Sequence, residues 1–88
     1  MNNVSSTVRI IFQPYVFRTV GKRKQLSPGI PIACRDEQDA LRRIDKVKAG
    51  LGDTVGAQAV RMLVDEDAGD YGDPEILGIV GEVPKNDD

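Results

Sequence analysis

The chain has no histidine, no tryptophan and one cysteine, and no acidic residue occurs before Asp36. Each absence closes off some chemistry. Without histidine there is no Ser-His or Cys-His pair and no imidazole general base. A lone cysteine, Cys34, excludes an internal disulfide and fits a reducing compartment. Aromatics are scarce: Phe12, Tyr15, Phe17 and Tyr71 make a thin core, and the first three crowd into one short stretch. No apolar run approaches the ~18 residues of a membrane span, and the N-terminus lacks a basic-then-apolar signal pattern. The expectation is a cytoplasmic protein with no membrane segment. Its 88 residues form one small domain, with polar tails at about 1–6 and 84–88. A chain of this size buries only about 60–65% of its unfolded surface, so self-association is an expected source of further stability.

The net charge of −2 hides an asymmetry. Up to Arg35 the chain holds Arg9, Arg18, Lys22, Arg23, Lys24 and Arg35 and no acid; from Asp36 onward 14 acids face six bases, a net of −8. Such a split can mark a surface that meets a polyanion, or a basic ribbon complementary to an acidic one within the fold or across a dimer.

The clearest element is Asp36–Leu51, DEQDALRRIDKVKAGL. Asp36 is placed to cap the first turn, and Asp39 stands where a capping box has Glu or Gln. Glu37 and Asp39 suit the positive end of the helix dipole, Lys46 and Lys48 the negative end. Ala40, Leu41, Ile44, Val47 and Leu51 follow the spacing of one helical face. Gly50 and Leu51 fit a Schellman-type stop.

The segments on either side read as strands. Val8–Val20 is rich in β-branched and aromatic residues. Its alternation breaks at Pro14, and a bulge at Gln13–Pro14 would bring Tyr15 and Phe17 onto the buried face with Val8, Ile10 and Phe12. Gly21 begins a turn and Lys22–Leu26 returns as a basic edge strand. Ser27-Pro28-Gly29 is a second turn, and Ile30, Ile32 and Cys34 form an extended lead-in to the helix. Val55–Val64 alternates as a strand, although Ala57–Leu63 also fits a helix capped by Thr54. Asp65–Pro74 has the chemistry of turns, and Glu75–Val83 is the last strand, with Gly78 and Gly81 weakening it or marking bulges. The fold class is α+β: an antiparallel sheet of three to four strands with one amphipathic helix packed on one face, in the order β-(β)-α-β-β. One helix covers one face, so the other is polar or meets a partner; Ile11, Val16, Leu77 and Ile79 are its candidates.

Motifs for chemistry are missing. Cys34 has Arg35 and a helix N-terminus beside it, both of which lower a thiol pKa, but no base or second cysteine accompanies it, and it reads as a small buried hydrophobe. Counting from Asp65, the calcium-loop positions six and twelve hold Asp70 and Ile76 in place of Gly and Glu. Gly50, Gly52 and Gly56 lack the lysine and hydroxyl of a phosphate loop. No catalytic residue, metal site or cofactor is expected, and the chain does not read as an enzyme.

The best interaction candidate is Gly21–Leu26, GKRKQL, a basic hairpin able to contact a phosphate backbone and to enter a groove as a β-ribbon. This run, followed by a turn, a short strand and Asp36-Glu37-Gln38-Asp39-Ala40-Leu41, resembles the arm-type DNA-binding domain of phage integrases, in which a three-stranded sheet followed by a helix reads DNA with the sheet. The resemblance covers about residues 18–44 and implies that Arg18, Lys22, Arg23 and Lys24 face DNA. The chain departs from that family by continuing into an acidic hairpin in place of a helical core-binding domain, and it has no recombinase catalytic domain. The whole chain is also similar to small uncharacterised bacterial α+β proteins that join such a helix to a D-x-G-D-Y-G-D-like hairpin, a resemblance that implies no activity. Two functions follow as expectations. The first is a non-catalytic protein-interaction domain, homodimeric through a strand edge or the uncovered sheet face. The alternative is a nucleic-acid-binding module using the hairpin around residues 18–24.

Overall fold

The structure, a computed structural model, describes residues 6–65 and 70–84. Six β segments and one helix follow in the order β1 (Ser6–Val20), β2 (Arg23–Pro28), β3 (Ile32–Cys34), α1 (Glu37–Lys48), β4 (Gly56–Asp65), β5 (Asp70–Tyr71) and β6 (Glu75–Gly81). All pairings are antiparallel. β2 and β3 share one side of β1, β4 takes the other side, and β5 and β6 share the far side of β4. The sheet is therefore four strand positions wide. The α+β expectation of one helix on one sheet face holds, with short extra segments at both edges. The segment Gly56–Asp65 is a strand and not a helix.

α1 follows its local signals closely. Asp36 is extended and its carboxylate accepts from the Asp39 N–H at 2.8 Å. Asp39 returns a bond, accepting from the Arg35 N–H at 3.2 Å, so two free donors at the helix start are satisfied. At the other end the Gly50 N–H donates to the Val47 carbonyl and the Leu51 N–H to the Lys46 carbonyl, with Gly50 at φ 81°. That is the Schellman pattern. Leu51 lies beyond it and is exposed, so it drops out of the expected apolar face.

The core lies between α1 and one sheet face. Ala40 and Ile44 pack on Phe12 of β1 and on Ala57 and Ala59 of β4, flanked by Ile10, Ile32, Cys34, Val47, Leu77 and Val80. The small residues on β4 let the helix come close. A bulge at Ala59/Val60 opposite β6 skips Leu77 in the pairing, as Gly78 opposes Ala59 and Ile76 opposes Val60. Leu77 and Gly78 thus both serve the helix side, which moves Leu77 out of the expected bare face. Arg61 holds the helix start to the sheet through Glu37 on α1 and Glu75 on β6, at 3.7 and 3.2 Å.

The expected bulge at Gln13–Pro14 is not there. β1 pairs with β4 without a break from Ser6↔Asp65 to Tyr15↔Gly56, so Tyr15 and Phe17 lie on the face opposite Phe12. The reason is the place of Pro14. Its carbonyl accepts from the Gly29 N–H at 2.8 Å, on the side of β1 where partner strands are interrupted between Pro28 and Ile32. The N–H that proline lacks would point to the same gap, so no ladder bond is lost and no extra residue is needed. Straight alternation also moves Val16 to the helix side and leaves Ile11 and Ile79 on the other.

Candidate functional site

Two surfaces stand out once the register is fixed. The first is an arm. Beyond Tyr15, β1 leaves β4 and pairs with β2 alone, from Tyr15↔Pro28 to Val20↔Arg23. Gly21 and Lys22 close the ribbon, with Gly21 at φ 64° and no other residue of the turn at positive φ, as in a two-residue II′ hairpin. The molecule measures 57 × 27 × 22 Å, and β1, at about 3.3 Å per residue, spans most of that length. The arm is one end of it.

All four predicted residues are on this arm, and all are exposed. They do not share a face. By the pairing, Arg18 and Arg23 are on the helix side, Lys24 is on the other, and Lys22 is at the tip. Lys24 Nζ stands 5.4 Å from the centre of the Phe17 ring. Among the described residues none of the four has an ion-pair partner. This differs from Arg35, Arg42 and Arg43, which gather on the Asp39 carboxylate at 4.0, 3.4 and 3.5 Å. Among the described residues, charge complementarity is thus met at the helix start and not on the arm.

The second surface is the sheet face away from α1. Pairing places Ile11, Phe17, Val60, Met62, Ile76 and Ile79 on it. Phe17, Ile76 and Ile79 are 43%, 49% and 53% exposed. Two points on it are closed: Tyr15, whose hydroxyl accepts from Gln58 Nε2 at 3.1 Å, and Val64, between Thr7 and Tyr71, are buried. Composition hinted at an uncovered face. Val60, Met62 and Ile76 as its members were missed: the place of Val60 and Met62 depends on the β1–β4 register, and that of Ile76 on the β4–β6 bulge.

The remaining chemistry is structural. Asp39 is largely buried, and its carboxyl is held below the usual range chiefly by the Arg35 N–H, against the cost of burial and helped by the three guanidinium groups. Cys34 packs against the core. Burial pushes its thiol up, the Asp39 carboxylate adds to this, and Arg43 opposes both. The lowering expected from Arg35 and the helix N-terminus does not win. A depression of about 130 Å³ at the β1–β3 edge is lined by Val8, Arg9, Ile10, Ile11, Ala33 and Cys34, too small for most organic ligands. Among the described residues no cluster of His, Cys, Asp or Glu is placed to hold a metal ion, and no helix is long and apolar enough to cross a membrane. Part of the acidic turn, residues 66–69, lies outside the described residues.

Comparison of the chain with family models, with curated proteins and with solved structures finds no match.

Proposed function

We propose that this chain is a small non-catalytic interaction domain that works as a homodimer through the sheet face away from α1. The observation that carries this reading is the row of exposed apolar side chains on that face, Phe17, Ile76 and Ile79 among them. Ten residues of β1 paired to β4, at 3.3 Å each and four strand positions wide, give roughly 650 Å². That approaches the ~800 Å² per partner of a standard interface. A second copy matches such a face because two sheets stack at about 10 Å with interdigitating side chains. Light scattering at tens of micromolar tests it. Dimer mass is expected, with Ile79→Ser and Phe17→Ser shifting the mass toward monomer while leaving the circular dichroism of the fold unchanged. Monomer mass for the unsubstituted chain would sink the reading.

A second reading, nucleic-acid binding by the arm, is favoured by its four cations, which have no ion-pair partner among the described residues. A two-stranded ribbon fits the major groove of B-DNA. With four phosphate contacts the logarithm of affinity would fall with the logarithm of salt at a slope of about −3.6. Absent or salt-insensitive duplex binding, unchanged on replacing Arg18, Lys22, Arg23 and Lys24 by Ala, removes it.

A further inference from the structure

We infer that the helix-side face of the arm reads base edges in the major groove of duplex DNA, with Arg18, Val20, Arg23 and Gln25 as the residues that select sequence. This rests on the nucleic-acid reading above and adds the face, the groove and the kind of site.

The register makes the two faces of the arm chemically different. On the helix side Val20 opposes Arg23 and Arg18 opposes Gln25, so these four form one block, two side chains from each strand. All four are exposed, and α1 does not reach β2. The two arginines have no ion-pair partner among the described residues. On the opposite face Phe17 opposes Leu26 and Thr19 opposes Lys24. Leu26 is half-buried, and Lys24 stands over the Phe17 ring. That cation has a resting place on its own ribbon, and the helix-side arginines do not.

Each member of the helix-side block matches a group on the floor of the major groove. A guanidinium forks onto the O6 and N7 of guanine, and a Gln amide pairs with the N6 and N7 of adenine. Val20, 55% exposed, supplies apolar contact for a thymine methyl. From Arg18 to Val20 the block is about 6.6 Å long, and bases follow one another at about 3.4 Å, so it covers about three base pairs. The opposite face offers an ammonium, which is a point charge without the fork, and two apolar side chains. The major groove of duplex RNA is too deep and narrow for side chains to read, which makes DNA the partner.

The test selects binders of the full chain from a library of random-sequence DNA duplexes. A core of about three base pairs containing G and A is expected to emerge, bound at least about tenfold tighter than a scrambled duplex at the same salt. Replacing Arg18→Lys and Arg23→Lys together keeps the charge and removes the fork. The salt dependence should stay, and the preference should fall to about twofold or less. Lys24→Ala should weaken selected and scrambled duplexes alike. Circular dichroism of each variant checks that the arm is still formed. Salt-dependent binding with no enriched sequence overturns the inference and leaves the nucleic-acid reading standing. So does a preference that survives both Arg→Lys replacements, one that is lost with Lys24→Ala, or equal binding to duplex RNA. No binding to any duplex overturns both.

Discussion

From Ser6 to Tyr15, β1 has β4 along one side and α1 across one face; from Val16 to Val20, among the described residues, it pairs with β2 alone. The two halves share one strand and nearly one composition, yet Phe12 is 5% exposed and Phe17 43%. Burial and exposure are thereby separated along a single element. The covered half buries apolar surface, the main source of folding free energy. The arm is a two-stranded ribbon of a kind that is marginal by itself. It is held by its turn and its cross-strand pairs, and its residues are open to selection for contact with something else.

The sharpest break in this comparison is Phe12→Ala against Phe17→Ala. Phe12 packs on Ala40, Ile44, Ala57 and Ala59, and its truncation is expected to cost about 3–5 kcal/mol by urea unfolding. At a concentration low enough to keep the chain monomeric, Phe17→Ala should cost about 1 kcal/mol or less. Similar losses at both positions would mean that the arm is folded against the body. Next in size is Gly56→Ala. Gly56 faces Gly81 across the β4–β6 pairing, and a Cβ there would run into the Glu82 backbone. A loss of about 2 kcal/mol is expected, while an exposed arm substitution such as Gln25→Ala stays within about 0.5 kcal/mol.

How much of this was legible follows the same division. α1 could be read from Asp36, Asp39 and Gly50 because caps are local: each residue acts within one turn of itself. β4 could be read from the alternation of Val60, Met62 and Val64. The phase of β1 could not. Its apolar residues fit either a bulge or straight alternation, and the choice turned on Pro14 meeting the gap between β2 and β3, a contact set by a turn fifteen residues away. Charge alone singled out the four arm cations, all of them exposed, but their division between faces needed the register. That register was within reach: a two-residue turn at Gly21-Lys22 fixes Val20↔Arg23, and Thr19↔Lys24 follows from it. The bulge that carries Leu77 to the helix side had Gly78 as its only signal.

The start of α1 offers a break of intermediate size. Asp36→Ala removes the cap bond to the Asp39 N–H and should cost about 1 kcal/mol. Asp39→Asn tests the neighbouring charge cluster through pH. The folded carboxyl titrates below its ordinary value, so its contribution is fully present above the ordinary carboxyl range and is lost as pH falls through the depressed folded value. The stability difference between the unsubstituted chain and Asp39→Asn should therefore be constant near neutrality and shrink only below about pH 4. A difference that grew on acidification would mean that the carboxyl is destabilised in the fold, contrary to the Arg35, Arg42 and Arg43 geometry.

The smallest expected effect is the one most specific to the arm. Lys24 over the Phe17 ring is an exposed cation–π contact, worth about 0.5–1 kcal/mol. A double-mutant cycle of Lys24→Gln and Phe17→Leu isolates it, since the ring's remaining contacts cancel between the two legs. A coupling near 0.5 kcal/mol, largely retained with Lys24→Arg and only weakly dependent on salt, would show the ammonium resting on the ring when no partner is bound. A coupling of zero would show that the side chain is not held there in solution. The two results separate a cation ordered by its own strand pair from one whose position is set by what the arm meets.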